Sequence, residues 1–240
     1  MRWPNFSRRE TIGLIVFAAL MLVAFLPLRV ALGAAGVSKG TIAARQVRGS
    51  LWWGRIDSLT LGGVHLGDVD AKVSPVQLLV GRIRLDLWRK EGLPNDFAGA
   101  WSVGFNQRGI DDVTGMLGAG GVFAPLPLST FEFEDVTVHF AGDTCAKAEG
   151  RLRVRISGQY AGLNLAQGMS GAVTCDGAAV LVPLVSQTGM ERLSLRIWRD
   201  GRTSAQLAVK ASEGANIAAL TAAGLTQRGE DYVLTIEGQM

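Results

Sequence analysis

Two cysteines and two histidines are all that this 240-residue sequence offers to thiol or imidazole chemistry. His65 and His139 stand in no Ser/His/Asp or Cys/His signature. The cysteines, Cys145 and Cys175, form no C-x-x-C pair, and with one histidine between the two halves of a would-be site a tetrahedral zinc would still lack a ligand. Paired carboxylates exist at Asp68/Asp70 and Glu132/Glu134, but alternate residues of any solvated strand face produce such pairs. The chain is therefore expected to be no enzyme and to hold no cofactor or metal. Proline is scarce as well, seven residues against 31 glycines, and no low-complexity tract accompanies the glycine. That balance favours a turn-rich, mainly β protein over a disordered chain. Basic excess is also missing from the body of the chain. Arg2, Arg8, Arg9 and Arg29 against Glu10 account for the whole net charge of +3, and everything downstream is neutral. A nucleic-acid partner, which demands a phosphate-neutralising face, is not expected.

What the sequence does contain begins with an uncharged run, Thr11 to Leu28. About 18 apolar residues is near the lower limit for crossing a bilayer as a helix. The arginines that precede the run keep the N-terminus cytoplasmic by the positive-inside tendency. The run exceeds the usual signal-peptide core of about 7–15 residues, so a retained anchor is preferred to cleavage at Ala31-Leu32-Gly33. The expected organisation is a cytoplasmic tail over 1–10, an anchor over 11–30, a linker or first strand over 31–46, and two β regions over 47–128 and 129–240 in the periplasm.

Those β regions follow from period-2 alternation. Ile83, Leu85 and Leu87 alternate with Arg82, Arg84 and Asp86; Leu152, Val154 and Ile156 alternate with Arg151, Arg153 and Arg155. Further strands are expected over 180–185, 193–198, 205–209 and 232–236, with Asp200-Gly201 as a hairpin turn. Turns are also expected at Gly62-Gly63 and Gly67-Asp68. Phe131 and Phe133 share one parity, whereas Val136, Val138 and Phe140 share the other, which places a bulge at Asp135. Residues 89–101 read as a long connection. Gly109 to Pro127 reads as a short apolar helix or a crossover between two halves; its G-x-x-G-x-G order and its prolines do not fit a phosphate loop. A short helix is expected within 212–225, with Ser212 as its cap. In an exported domain, Cys145 and Cys175 read as a disulfide closing a loop of about thirty residues, worth roughly 3–4 kcal/mol. Trp52 and Trp53, as strand neighbours, would point to opposite faces, one to the core and one to a rim or interface.

The segment Gly49-Ser50-Leu51-Trp52-Trp53-Gly54-Arg55, followed by VSPVQLLVGRI with Pro75, Leu78, Leu79, Gly81 and Arg82, resembles protein N of the bacterial type II secretion system. Cys145, the run Gly171 to Gly177, the run Leu184 to Gly189 and RLSLRIWRDGR continue the resemblance, so it covers most of the chain after the apolar run. It implies an accessory subunit, anchored in the inner membrane, that acts through contacts with other secretion-system subunits, envelope-spanning or inner-membrane platform components. Gly49, Leu51, Trp52, Trp53 and Gly54 become candidate interaction residues. The expected architecture is one or more curved antiparallel sheets in two similar-sized halves behind a single N-terminal transmembrane helix. The alternative is a periplasmic lipid-binding or lipid-transfer protein with an AsmA-like apolar β groove, for which a long open groove rather than a filled core would be the sign.

Overall fold

The computed structural model describes residues 7–30, 42–61, 64–92, 96–120, 122–156, 159–160, 163–164, 167–210 and 216–239. The Gly62-Gly63 turn, the Ala31-Leu32-Gly33 site, most of the 31–46 linker and the Ser212 cap lie outside these residues.

Helix α1 (Arg8–Ala24) opens with a capping box. The Ser7 N–H donates to Glu10 Oε2 at 2.8 Å, and the Glu10 N–H donates to Ser7 Oγ at 3.4 Å. The helix is shorter than the apolar run that encodes it. It ends at Ala24 because Pro27 cannot extend it and instead forms a β-bridge with Ser50. Among the described residues no helix is long and apolar enough to cross a membrane.

The rest is strand. An edge formed by β1 (Ile42–Ala43) and β2 (Gln46–Ser50) pairs with β3 (Trp53–Leu61), and the chain then meanders through β4 (Val64–Val73). A one-turn helix α2 (Pro75–Leu79) leads into β5 (Ile83–Arg89), β6 (Phe97–Val103) and β7 (Gln107–Gly118). The two longest strands, β8 (Leu128–Ala141) and β9 (Thr144–Ile156), are followed by a small separate ribbon of β10 (Gln159–Tyr160) and β11 (Leu163–Asn164). Strands β12 (Met169–Ala172) and β13 (Thr174–Asp176) share one partner, β14 (Ala179–Ser186). The meander continues through β15 (Glu191–Trp198) and β16 (Arg202–Lys210). Helix α3 (Ile217–Ala222), capped by Asn216 Oδ1 on the Ala219 N–H, precedes the closing pair β17 (Thr226–Arg228) and β18 (Asp231–Gln239).

Except for the ribbon, these strands belong to one antiparallel sheet of sixteen among the described residues. The two-halves expectation is thereby corrected: β7 and β8 pair directly, so the sheet runs unbroken past the predicted crossover. Residues 107–118 form a strand because their glycines admit close backbone approach rather than a loop. A Cβ on Gly109 would lie 2.0 Å from Val138 O. The 89–101 connection is likewise shorter than expected, since β6 begins at Phe97.

The alternation resolves as the sequence implies. Ladders such as Leu184–Leu193–Leu207–Leu234 and Val182–Leu195–Ala205–Ile236 line one face. The buried residues of β3 through β18 join a single core cluster, which Leu220 of α3 and Phe123 and Leu126 of the β7–β8 connection help to close. The opposite face is charged and cross-paired: Glu132 on β8 meets Arg153 and Arg155 of β9 at 3.9 and 3.8 Å. The sheet curls around its core, since distant strands touch. Arg108 Nη2 of β7 donates to Arg199 O at the β15–β16 turn at 3.4 Å. The bulge expected at Asp135 is present: its φ is +52° and the β8–β9 register slips between Glu134 and Thr137.

Because neighbouring strands are antiparallel, the turns alternate between two ends of the sheet. The Leu51–Trp52 turn, the α2 connection, and the turns at Gly104–Asn106, Gly142–Asp143 and Arg199–Gly201 all lie at one end. Helix α1 reaches the sheet at that same end.

Candidate interaction site

The five residues singled out in the sequence form a two-residue hairpin turn and its flanks. Ser50 pairs with Trp53, and Gly49 pairs with Gly54 across β2 and β3. Both glycines are required, for different reasons. Gly49 has φ +89°, a region open to glycine without steric cost. Gly54 is ordinary in backbone but has no room: a Cβ there would lie 2.4 Å from Leu28 Cδ2 and 2.9 Å from Arg48 O.

That lack of room shows what the hairpin does. It seats the chain leaving α1. The Leu51 N–H donates to Leu26 O at 2.9 Å, Pro27 bridges to Ser50, and Leu28 is fully buried beside Gly54. Trp52 adds a fourth tie, its Nε1–H donating to Ala24 O at 3.1 Å, the last residue of α1. A carbonyl at a helix C-terminus has no intrahelical partner, so the indole satisfies a group that would otherwise rely on solvent. Leu51 enters the core itself.

Trp52 and Trp53 do part company, although not by strand alternation. Trp52 belongs to the turn and packs partly against the core; the strand begins with Trp53. Trp53 is 69% exposed and stands edge-on to Trp88, ring centroids 6.4 Å apart. Around the pair lies the charged face, where Arg55 spans Asp57, Asp68 and Asp70 at 3.7–4.0 Å. An exposed tryptophan backed by a half-buried one, beside ion pairs, has the composition of an interface anchor.

The cysteines form the expected disulfide, Cα atoms 5.5 Å apart, joining the start of β9 to β13. Among the described residues β13 pairs with β14 alone, so the covalent link holds a short strand that its ladder ties on one side.

One assembly went unread in the sequence. A cleft of about 100 Å3 opens at the α1 end between α2 and the β6–β7 turn, lined by Gln77, Arg82, Arg84, Ser102, Arg108 and His139 among others. Inside it His139 Nε2 meets Asp111 Oδ1 at 2.6 Å, and Arg84 pairs with Asp86 and Asp112 at 2.9 and 3.0 Å. Serine, histidine and aspartate thus share a cleft, but among the described residues no hydrogen bond joins Ser102 to His139, and Asp111 occupies the imidazole nitrogen. Burial and the neighbouring Arg199 hold the Arg108 guanidinium below its ordinary pKa. Nearby, a hydrogen bond from Arg202 at 2.7 Å holds the Asp200 carboxyl below the usual carboxylate range. The individual residues had given no signal, because they come together from β5, β6, β7 and β8. Among the described residues no group of three or more histidine, cysteine and acidic side chains could hold a metal ion.

These features define a disulfide-linked β protein, built on one large antiparallel sheet, whose distinctive residues hold chain segments and present aromatic side chains. The model of the family described as type II secretion system (T2SS), protein N, matches residues 41–235, and the chain belongs to that family. No curated protein and no solved structure matches the chain. The family is a secretion accessory family, so this membership implies interaction with other type II secretion components.

Proposed function

We propose that the protein is an inner-membrane-anchored accessory subunit of the type II secretion system, with its sheet in the periplasm, and that it acts by protein–protein contact to support export of folded proteins across the outer membrane. The observation that carries this reading is Trp53, largely exposed on the charged face and packed edge-on against the half-buried Trp88. The anchor reading rests on α1. Ile12, Leu14, Ile15, Val16, Phe17 and Met21 are all exposed among the described residues. A helix of this length rises about 25 Å, so α1 would span a thinned bilayer, with Arg8 and Arg9 reaching the headgroups. The disulfide suits an oxidising periplasm.

The lipid-groove alternative calls for an open apolar channel. The inner face is instead filled: Val154, Leu193 and Ala205 are fully buried. Docking through the outer face is therefore the favoured reading. Its test is complementation of a strain lacking the protein with a Trp53→Ala/Trp88→Ala variant, comparing exported protein in the medium and in the periplasm. Wild-type stability with cargo retained in the periplasm supports the reading. Full export by the variant refutes it.

A further inference from the structure

Apolar side chains are exposed at the end of the sheet where α1 arrives. On α2 and just beyond it, Val76, Leu79 and Val80 point outward, Leu79 with 87% of its surface exposed, while Leu78 packs against the core. Phe105, at the tip of the β6–β7 turn, is fully exposed, and Ile83 joins the set at the start of β5. The two tips are neighbours, since Ile83 pairs with Val103 and both tips line the cleft described above. Leaving this many large apolar groups in water is unfavourable, and their grouping on adjacent turns marks a docking surface.

Three further observations identify what docks there. First, the chain segment after α1 lies one residue away in the hydrogen-bond network: the Leu51 N–H donates to Leu26 O, and Leu51 O accepts from Val73, two residues before α2. The C-terminal end of α1 is therefore close to these tips. Second, neither tip contains an acidic residue. The run Ser74 to Arg84 contributes Arg82 and Arg84, and the run Gly104 to Arg108 contributes Arg108. Arg82 forms no ion pair among the described residues. Third, the opposite end does carry acidic residues at its turns, Glu91, Asp96, Glu191, Glu230 and Asp231, interspersed with Lys90, Arg192, Lys210 and Arg228.

We infer that the α2 and Phe105 tips insert into the interface of an anionic phospholipid bilayer, Leu79, Val80 and Phe105 entering the acyl boundary while Arg82 and Arg108 meet headgroup phosphates. This is the arrangement of interfacial amphipathic segments, in which apolar burial and attraction to anionic lipid add. It would fix the tilt of the sheet on the membrane and so the direction in which Trp53 faces. The inference rests on the anchor reading of α1, and the experiment separates the two.

The full-length chain is reconstituted into phosphatidylcholine vesicles with and without phosphatidylglycerol. Single cysteines introduced as Leu79→Cys, Phe105→Cys, Ile15→Cys or Glu230→Cys are labelled with an environment-sensitive fluorophore; Cys145 and Cys175 are bonded to each other and do not react. The expected result is blue-shifted emission at 79 and 105, quenched by spin-labelled lipid, stronger with phosphatidylglycerol, and absent at 230. Arg82→Glu/Arg108→Glu should lower the quenching at 79 several-fold while that at 15 is unchanged. Lipid quenching at 15 with water exposure at 79 and 105 would overturn the inference and leave the anchor standing. Water exposure at 15 as well would overturn both. Protection at 79 and 105 only after secretion-system proteins are added would give the surface to a protein and also overturn the inference.

Discussion

Gly54→Ala is a one-carbon change whose consequence is set by what lies above it. The new Cβ would meet Leu28 Cδ2 at 2.4 Å and Arg48 O at 2.9 Å. The leucine methyl can swing away, but the backbone carbonyl of the paired strand cannot do so without opening the hairpin. The expected outcome is expulsion of Leu28, a fully buried side chain, at a cost of about 1.5–3 kcal/mol of lost burial. Leu28→Ala alone should cost about 2–5 kcal/mol, since it leaves a cavity. The double variant should cost less than the sum by roughly 0.5–3 kcal/mol, because the burial of Leu28 can be lost only once. Urea unfolding of the detergent-solubilised chain, followed by tryptophan fluorescence, measures all three values. Limited trypsin digestion gives a second readout: release of the segment should speed cleavage after Arg29. Strict additivity, or unchanged cleavage at Arg29 in Gly54→Ala, would refute the claim that the hairpin holds this segment.

Three other outcomes are expected. Cys145→Ala/Cys175→Ala, or reduction, should lower stability by roughly 3–4 kcal/mol on the loop-entropy account, read as a shift in the urea midpoint between reducing and non-reducing buffer. Thr137→Val should cost about 1–3 kcal/mol, because the buried Thr137 Oγ1 accepts the Asp112 N–H at 3.0 Å and the variant leaves that donor unpaired; equilibrium unfolding measures it. Asp135→Val should be markedly worse than Asp135→Gly, since φ +52° suits glycine and punishes a β-branched residue; a comparison of the two unfolding midpoints decides it.

Local signals were readable where a residue's role depends on near neighbours. The arginine row of β9 predicted its solvated face, and the parity change at Asp135 predicted its bulge, because burial on one face forces the period to slip there. The Asp200-Gly201 turn and the strands on either side of it also followed from local pattern. What failed was the meaning of glycine between 109 and 127. A missing side chain suggested a crossover, yet Gly109 and Gly115 lie in a central strand where neighbouring backbones come too close for a Cβ. That distinction depends on partners 18 to 30 residues away in sequence. The helix end at Ala24 was misplaced for a related reason: the apolar run continues to Leu28, but its last residues are held by a hairpin more than twenty positions on. Of the signature, the glycines and Trp52 turn out to hold chain segments, and Trp53 alone of the two tryptophans is left largely exposed. The arginine-lined cleft, assembled from four strands and α2, left no trace in local pattern.

The central claim is that the exposed tryptophan face docks onto the secretion machine. Photo-crosslinking in living cells from a probe at Trp53, with a probe at Trp52 as the buried-side comparison, tests it most directly. The account predicts adducts to other type II secretion subunits from Trp53 and few or none from Trp52. No secretion-subunit adduct from Trp53, or phospholipid adducts alone, would contradict it.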